Sequence, residues 1–327
     1  MVDRPQLADA GHESLAASDP LQDFRPPPRP PGLSLSANKS VSELAVPTTN
    51  DALVNTTWLA EHLADASVVV LDASFKLPGA APTAAQDYTE RHIPGARFFD
   101  IDAIADHATA LPHMLPSATQ FASAAREYGI SNDTMVVVYD APGLMSAGRA
   151  WWMFRMFGHG KVAILDGGLR RWLAEGRPVT ADVPTPAPGS FTARAPLASV
   201  RASAQVLATL SNRTAQVVDA RSAARFMAVE KEARPGLRSG HMPGSFNVPF
   251  NLMSDPQTGL MRSPEALASA FREAGVDLGR PVIASCGSGV TACALAFGLH
   301  LLGKSDVAVY DGSWAEWGQP GSLPVEP

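Results

Sequence analysis

Residues 281–293 read Pro-Val-Ile-Ala-Ser-Cys-Gly-Ser-Gly-Val-Thr-Ala-Cys. The short apolar run over 281–284 predicts a buried strand, and residues 291–302, which are apolar on most sides, predict a buried helix. The two glycines between them indicate a tight turn. This order places Cys286 at the carboxyl end of a strand, where it faces the N-terminus of a helix.

This placement of Cys286 has a chemical consequence. The unpaired N–H groups and the dipole at a helix N-terminus stabilise an anion, so we expect the thiol to ionise readily and to act as a nucleophile. Gly287 and Gly289 allow the backbone to curl around the sulfur. A small apolar cysteine at a strand end, followed by an ordinary turn, explains the same residues. We interpret Cys293 as a buried apolar residue of the helix.

The composition narrows the class of protein. A chain of 327 residues with 46% hydrophobic and 18% charged residues is typical of a globular protein with about two domains. The net charge of −6 argues against a nucleic-acid or anionic-membrane partner. Two nearby cysteines suit a reducing compartment, which predicts a cytoplasmic location, and no Cys/His spacing predicts a metal or other cofactor. The uncharged run between Arg280 and Lys304 is interrupted by glycines, so no membrane span is expected.

The chain repeats itself. The segments at 70–73, 92–96, 136–140 and 163–167 recur at 217–220, 241–245, 282–286 and 308–312, an offset of 145 to 149 residues. Short β-branched strands alternate with helical patterns in both copies, which predicts an α/β fold with a tandem duplication of a mostly parallel sheet flanked by helices. We expect a disordered, proline-rich tail over 1–48, a non-catalytic domain over 49–177, a linker over 178–196 and a catalytic domain over 197–327.

The two copies differ at the cysteine. Asp140 occupies the position equivalent to Cys286, and the stretch after it is longer and offers no nucleophile. One copy therefore carries the chemistry, and the other is a scaffold. We expect the active site at the interface between the two copies.

Several motifs together resemble those of a known family. These are the two His-x-Pro-Gly turns, the Asp-Gly-Gly and Asp-Gly-Ser-Trp segments, and the loop Cys-Gly-Ser-Gly-Val-Thr-Ala. Over about residues 50 to 320 the chain resembles the two-domain rhodanese family of sulfurtransferases. This resemblance implies an enzyme that carries sulfur as a persulfide on Cys286. Family members that use thiosulfate have Arg and Lys after the cysteine, whereas Gly287 and Ser288 resemble the members that act on 3-mercaptopyruvate.

The resemblance also implies roles for further residues. Arg225 and Arg234 correspond to the arginines that hold the substrate carboxylate and ketone, a task that suits the planar guanidinium. Four other residues of the loop would contact the substrate: Gly287, Gly289, Val290 and Thr291. We expect Arg221 and Asp219 to be structural.

A proton relay is the least determined part of the expected site. Ser288 would help to deprotonate the substrate thiol, with His92 behind it as an orienting group or base. His241 occupies the equivalent turn of the second copy, so His-x-Pro-Gly is equally explained as a structural turn. In the family an aspartate stands about eleven residues before this histidine, and here that place holds Ala81.

Partners and rival functions follow from the same residues. The resemblance implies that thioredoxin, a small thiol or cyanide accepts the sulfur. A phosphatase of this fold needs an arginine six residues after the cysteine, where this chain has Ala292. Thiosulfate:cyanide sulfurtransfer and a non-enzymatic binding or scaffold protein are the alternatives, and the intact Cys286 weighs against the second.

Overall fold

The computed structural model describes residues 52–77, 79–195 and 199–327. The tail predicted over 1–48 lies outside the described residues. We call residues 52–195 the first half and residues 199–327 the second half. Each half contains a parallel sheet of five strands flanked by helices.

The elements follow one another in the same order in both halves. Those of the first half are β1 (Leu53–Val54), α1 (Thr56–His62), β2 (Val68–Asp72), α2 (Ala84–Glu90), β3 (Arg97–Phe98), α3 (Ile101–Ile104), α4 (Ala118–Glu127), β4 (Met135–Tyr139), α5 (Ala147–Met156), β5 (Val162–Leu165) and α6 (Gly168–Ala174). Those of the second half are β6 (Val200–Arg201), α7 (Ser203–Asn212), β7 (Gln216–Asp219), α8 (Ala223–Phe226), β8 (Phe246–Asn247), a short 3-10 helix (Phe250–Leu252), α9 (Pro264–Glu273), β9 (Val282–Ser285), α10 (Ala292–Leu301), β10 (Val307–Tyr310) and α11 (Ser313–Trp317).

The sheets share one topology. The strand order is β1-β5-β4-β2-β3 in the first half and β6-β10-β9-β7-β8 in the second, and neighbouring strands are parallel. Central strands such as β4 and β9 are almost wholly buried because helices cover both faces, which explains their run of apolar residues. The predicted α/β tandem duplication is confirmed.

The helices begin where the sequence supplies caps. Thr83 and Ser117 each form a capping box with the glutamine three residues later. Ser263 caps α9 ahead of Pro264, which needs no N–H partner in the first turn. These caps satisfy backbone donors that would otherwise lack acceptors.

The halves meet along α5 and α10. A Cβ on Gly148 would lie 3.0 Å from the backbone nitrogen of Ala294, so the helices approach closely at this point. Three residues further along each helix, Trp151 and Phe297 stack edge to face with ring centroids 4.9 Å apart. The two helices start at the carboxyl ends of β4 and β9. Their packing therefore brings the equivalent loops of both halves to the same edge of the molecule.

The segment after α6 follows the surface of the first half. Thr180 forms an antiparallel bridge with His92, and Phe191 is buried in the core. The domain limits at 177 and 197 stay a prediction. In the described part of the chain, no helix is both long enough and apolar enough to cross a bilayer.

Candidate active site

The loop after β9 holds Cys286 at the carboxyl edge of the second sheet. The side chain of Cys286 is buried, and the Ser313 hydroxyl lies 3.1 Å from its backbone nitrogen and accepts that N–H. The N–H of Trp314 donates to the carbonyl of Cys286 at 2.9 Å. The start of the Asp-Gly-Ser-Trp helix, α11, thus fixes the cysteine on both sides.

The loop presents free donors to the cysteine's surroundings. Among the described residues, the backbone N–H groups of 287–291 have no acceptor. In the first half the equivalent loop closes on itself, because the Asp140 carboxylate accepts the N–H groups of Gly143, Met145, Ser146 and Ala147 at 2.7 to 2.9 Å. The same loop architecture thus contains a built-in anion in one half and leaves its donors free around a thiol in the other.

A cavity of about 570 Å³ opens onto Cys286. Side chains of both halves line it, as expected for a site at their interface. From the first half come Phe75, Lys76, Leu77, Ala80 and Met145, and from the second half Ala220, Arg221, Ser222, Arg225, Ala233, Arg234, Phe250, Cys286, Gly287, Ser288, Val290 and Thr291. The Ser288 hydroxyl makes no hydrogen bond to a described residue and is free to meet a ligand.

Two arginines in this cavity are tied to one carboxylate. Glu232 is buried and pairs with Arg221 at 2.6 Å and with Arg225. Arg221 also pairs with Asp219 at 2.7 Å and lies over the ring of Trp314, so its charge is neutralised within the protein. This agrees with the structural role expected for Arg221, whereas Arg225 keeps donors directed at the cavity.

Unlike Arg221 and Arg225, Arg234 forms no ion pair with a carboxylate among the described residues. Burial lowers the pKa of Arg234 from its ordinary value, while the nearby Cys286 sulfur opposes that change. The one side-chain partner of Arg234 among the described residues is His113, whose Nε2 lies 3.0 Å from Nη2 of the guanidinium. The remaining guanidinium donors are available to an anionic ligand.

His113 and Asp102 were not among the residues expected at the site. His113 Nδ1 lies 2.5 Å from Asp102 Oδ1, and the His113 ring packs edge-on against Phe75, which lines the cavity. Because a guanidinium can only donate, Nε2 accepts from Arg234 and the ring proton sits on Nδ1, facing Asp102. The hydrogen bond from His113 lowers the pKa of Asp102.

A signal for His113 was present in the repeat. His113 has a φ of 60°, in the left-handed region that side chains other than glycine seldom adopt. The equivalent position in the second half, 146 residues later, is Gly259 with a φ of 76°. A histidine in this conformation, where the other copy has glycine, makes His113 a candidate for a functional role.

Comparison with known protein families divides the chain into the same two halves as the structure. A rhodanese-like domain matches it twice, over residues 55–175 and 203–320. The chain belongs to the rhodanese family. This confirms the resemblance drawn from the motifs, and each match falls within one of the two sheets and its helices.

Relatives in this family are named after 3-mercaptopyruvate, after thiosulfate or after both. 3-Mercaptopyruvate sulfurtransferase of Rattus norvegicus is 46% identical over 280 residues, which cover 84% of this chain and 94% of the relative. Thiosulfate sulfurtransferase of Cricetulus griseus is 47% identical over 274 residues, which cover 81% and 91%. The crystal structure of SseA from Escherichia coli, described as a 3-mercaptopyruvate sulfotransferase, matches with a TM-score of 0.74 and 42% identity over 81% of this chain and 99% of its own.

The structure does not bring His92 to the site of this rhodanese-family chain. His92 is fully buried, with Nδ1 2.6 Å from the Tyr88 carbonyl and Nε2 3.2 Å from the Asp182 carbonyl. Its ring also stacks on Tyr88, and it does not line the cavity. The interpretation of His-x-Pro-Gly as a structural turn therefore fits His92, and the role proposed for it behind Ser288 does not.

Gly289 of the loop and Cys293 of α10 do not line the cavity. Gly289 has a φ of 79°, and a Cβ there would lie 2.7 Å from the Asp311 carbonyl, so glycine is required by the turn and by the close approach. It was expected to bind substrate, but it does not line the cavity. Cys293 donates to the Gly289 carbonyl at 3.2 Å, and burial raises the pKa of its thiol to about 12.

Proposed function

We propose that this chain is a sulfurtransferase that moves the sulfur of 3-mercaptopyruvate to a thiol or cyanide through a persulfide on Cys286. The observation that carries the proposal is one cavity in which a free thiol and two arginines meet Gly287, Ser288, Val290 and Thr291, whose backbone N–H groups have no acceptor among the described residues. A donor with one carboxylate, one ketone and a terminal thiol matches that set of groups.

Arg225 and Arg234 hold the donor in this proposal. A guanidinium binds carboxylate and ketone oxygens with directed hydrogen bonds, and burial strengthens such bonds. The ion pair with Glu232 restrains Arg225, and the hydrogen bond to His113 restrains Arg234. Both side chains are therefore oriented before the donor arrives, which reduces the entropy lost on binding.

The first chemical step breaks the C–S bond of the donor. The Cys286 thiolate attacks the donor sulfur, the electron pair of the C–S bond goes to the carbon as the enolate of pyruvate, and a persulfide remains on the enzyme. The proton of the donor thiol ends on that carbon, which gives pyruvate. The free N–H groups of 287–291 stabilise the negative charge of the persulfide.

His113 and Asp102 replace His92 in the proton relay. Ser288 lines the cavity and has a free hydroxyl, so it can bond to the donor thiol. Of the histidines discussed, His113 is the one that touches the residues lining the cavity, and Asp102 orients its ring. We propose that this imidazole assists movement of the thiol proton.

The second step transfers the outer sulfur of the persulfide to an acceptor. A thiol or cyanide attacks the outer sulfur, the S–S bond breaks, and the Cys286 thiolate is restored. Thioredoxin and small thiols are the proposed physiological acceptors. The free cysteines fit a reducing compartment, and we propose the cytoplasm.

The donor choice rests on the residue after the nucleophile. A Cβ on Gly287 would lie 3.2 Å from Nη2 of Arg225, so a long side chain there would move the guanidinium. An arginine at this place would add a cation that suits dianionic thiosulfate but would disturb the position of Arg225. Relatives named after either donor are about equally similar in sequence, so overall identity does not distinguish the two donors. We base the choice of 3-mercaptopyruvate as the main donor on the local geometry of Gly287 and Arg225.

The test compares two donors on matched variants. Purified protein is supplied with 3-mercaptopyruvate and dithiothreitol, with pyruvate and sulfide measured, and in parallel with thiosulfate and cyanide, with thiocyanate measured. Cys286→Ser should abolish both activities, whereas Cys293→Ser, which keeps a donor to the Gly289 carbonyl, should retain most of the turnover. Arg234→Met should raise KM for 3-mercaptopyruvate about 100-fold, because a charge-assisted bidentate contact is lost.

Each outcome has a distinct meaning. Faster turnover with 3-mercaptopyruvate supports the proposal, and faster turnover with thiosulfate shows that Gly287 does not set the donor. Turnover that survives in Cys286→Ser refutes the persulfide mechanism. Wild-type protein inactive with both donors would favour a binding or scaffold role.

A further inference from the structure

Arg149 is a buried charge that the proposed reaction does not use. It belongs to α5 of the first half, is 1% exposed and does not line the cavity. Its Nη1 lies 2.5 Å from Asp311 Oδ1 and 3.4 Å from the Gly289 carbonyl oxygen, and its Nη2 donates to the His113 carbonyl. The guanidinium also lies over the ring of Trp152 at 4.6 Å.

These contacts join three pieces of the site. Gly289 lies within the loop that carries the nucleophile, and its carbonyl points at Arg149. Asp311 directly follows the neighbouring strand β10, and its second carboxylate oxygen accepts the N–H of Leu115 at 2.6 Å. The backbone at His113 and just after it is therefore held, at the His113 carbonyl by Arg149 and at the Leu115 N–H by Asp311. Both contacts restrain the chain next to the left-handed conformation of His113.

We propose that Arg149, paired with Asp311, is a positioning residue that sets the Cys286 loop of the second half against the His113 segment of the first half. The inference rests on the proposed function. Neither residue touches the donor, so their effect passes through the Gly289 carbonyl and the His113 backbone. Loop N–H groups stabilise the developing charge only when they are held at the right place, and a displacement near 1 Å costs about 100-fold in rate.

The duplication supplies an internal comparison. Asp166, the counterpart of Asp311, reaches across the interface in the opposite direction and accepts the N–H of Met261 at 2.7 Å. Met261 is in turn the counterpart of Leu115, so the aspartate clasp occurs in both halves. The position equivalent to Arg149 is Leu295. Only the aspartate of the half that carries Cys286, Asp311, is paired with an arginine at this helix position.

Geometry rather than charge alone makes arginine necessary. One planar guanidinium reaches a carboxylate, a loop carbonyl and the His113 carbonyl at the same time. A lysine ammonium is a single point charge on a flexible stem and would keep the pair with Asp311 without spanning the three acceptors. Arg149→Lys therefore separates neutralisation of Asp311 from positioning.

The experiment uses Arg149→Lys and Asp311→Asn, with Asp166→Asn as the matched control. Asparagine keeps an oxygen for the backbone N–H in either clasp, but only Asp311→Asn breaks the pair with arginine. Each variant is assayed at a temperature at which circular dichroism shows it folded. Persulfide-forming sites are counted by the pyruvate burst, and the single-turnover rate is measured at saturating 3-mercaptopyruvate.

We expect the rate per active site to fall about 100-fold in Arg149→Lys and in Asp311→Asn, and saturating donor not to restore it. Asp166→Asn should show a much smaller loss. Equal losses in the two aspartate variants would overturn the proposal. So would fewer active sites with an unchanged rate per site, because that result shows a purely structural role. If Arg149→Lys turns over like wild type, positioning by arginine is refuted while the sulfurtransferase function stands. A wild type that transfers sulfur from neither 3-mercaptopyruvate nor thiosulfate overturns both.

Discussion

Replacing Asp140 by alanine tests whether these loops are anion cradles. Asp140 is fully buried, and its carboxylate accepts four backbone N–H bonds from the loop that follows β4. In Asp140→Ala these donors lose their acceptor and remain in a buried turn. Met145 of this loop also lines the cavity of Cys286, so the variant is measured by unfolding and not by activity, which makes it a report on the loop architecture.

The magnitude follows from the number of bonds. A buried donor without a partner costs about 1 to 3 kcal/mol, and water that enters the space left by the carboxylate recovers part of that. Taking about 1 kcal/mol for each bond, the variant should lose about 4 kcal/mol of unfolding free energy. With a urea m-value of about 2 kcal/mol/M, the unfolding midpoint should fall by about 2 M.

The assay is urea unfolding followed by circular dichroism and tryptophan fluorescence. Asp65→Ala is the control, because Asp65 is exposed and should change stability by less than about 1 kcal/mol. Formate at ten times its dissociation constant should return about 1.4 kcal/mol to Asp140→Ala by occupying the free N–H groups. Chloride at the same ionic strength should not, and wild type should not respond to formate.

Two results would refute this reasoning. A loss below about 1 kcal/mol in Asp140→Ala would mean that the four N–H groups find other partners cheaply. A large loss that formate does not relieve would mean that the carboxylate supports packing and is not the occupant of an anion site. The same physics underlies the proposal for the persulfide of Cys286, so either result would weaken it.

Three further predictions concern the rest of the molecule. Burial raises the pKa of Cys293 to about 12, so iodoacetamide at pH 8 should label Cys286 alone, and peptide mass spectrometry of folded protein should find no label on Cys293. Gly148→Val should destabilise the protein by about 1 to 3 kcal/mol, because a Cβ there already meets the backbone of α10 at 3.0 Å, whereas Gly321→Val, whose Cβ meets open space, should be neutral in the same urea titration. Burial, together with a neighbouring arginine, lowers the pKa of His300 to about 4, so the unfolded chain binds the extra proton first as pH falls. This contribution of neutral His300 to stability is lost as pH falls from 6.5 towards 4; the two pKa values give about 3 kcal/mol at pH 4, and solvent screening of the partly exposed ring reduces the expected loss to about 1 to 2 kcal/mol. His300→Gln should flatten this decline.

Most of the fold could be predicted from the sequence because burial constrains the composition of each strand separately. Strands buried on both faces must be continuous apolar runs, and β4 and β9 show this in their composition. The offset near 146 residues then related one copy to the other and revealed Asp140 where Cys286 stands in its partner. The cavity around Cys286 lies at the interface that this asymmetry predicted.

The failures concern groups that meet across the interface. His92 was expected behind Ser288 because of the family resemblance, but its ring nitrogens face carbonyl oxygens of the first half and it does not line the cavity. Asp102 and His113 have the eleven-residue spacing that the family resemblance implies, but that spacing was applied to His92, and the packing of the halves is what sets His113 beside Arg234.

Sequence alone established the duplicated α/β fold and the loop that carries Cys286, because backbone periodicity and turn chemistry act over a few residues. The tertiary structure decided which histidine lies beside Arg234 and which arginine contacts the loop carbonyl of Gly289. Arg149 and Asp311 are 162 residues apart in the chain and 2.5 Å apart in space. Only the close packing of α5 against α10 makes that contact, and no local pattern encodes it.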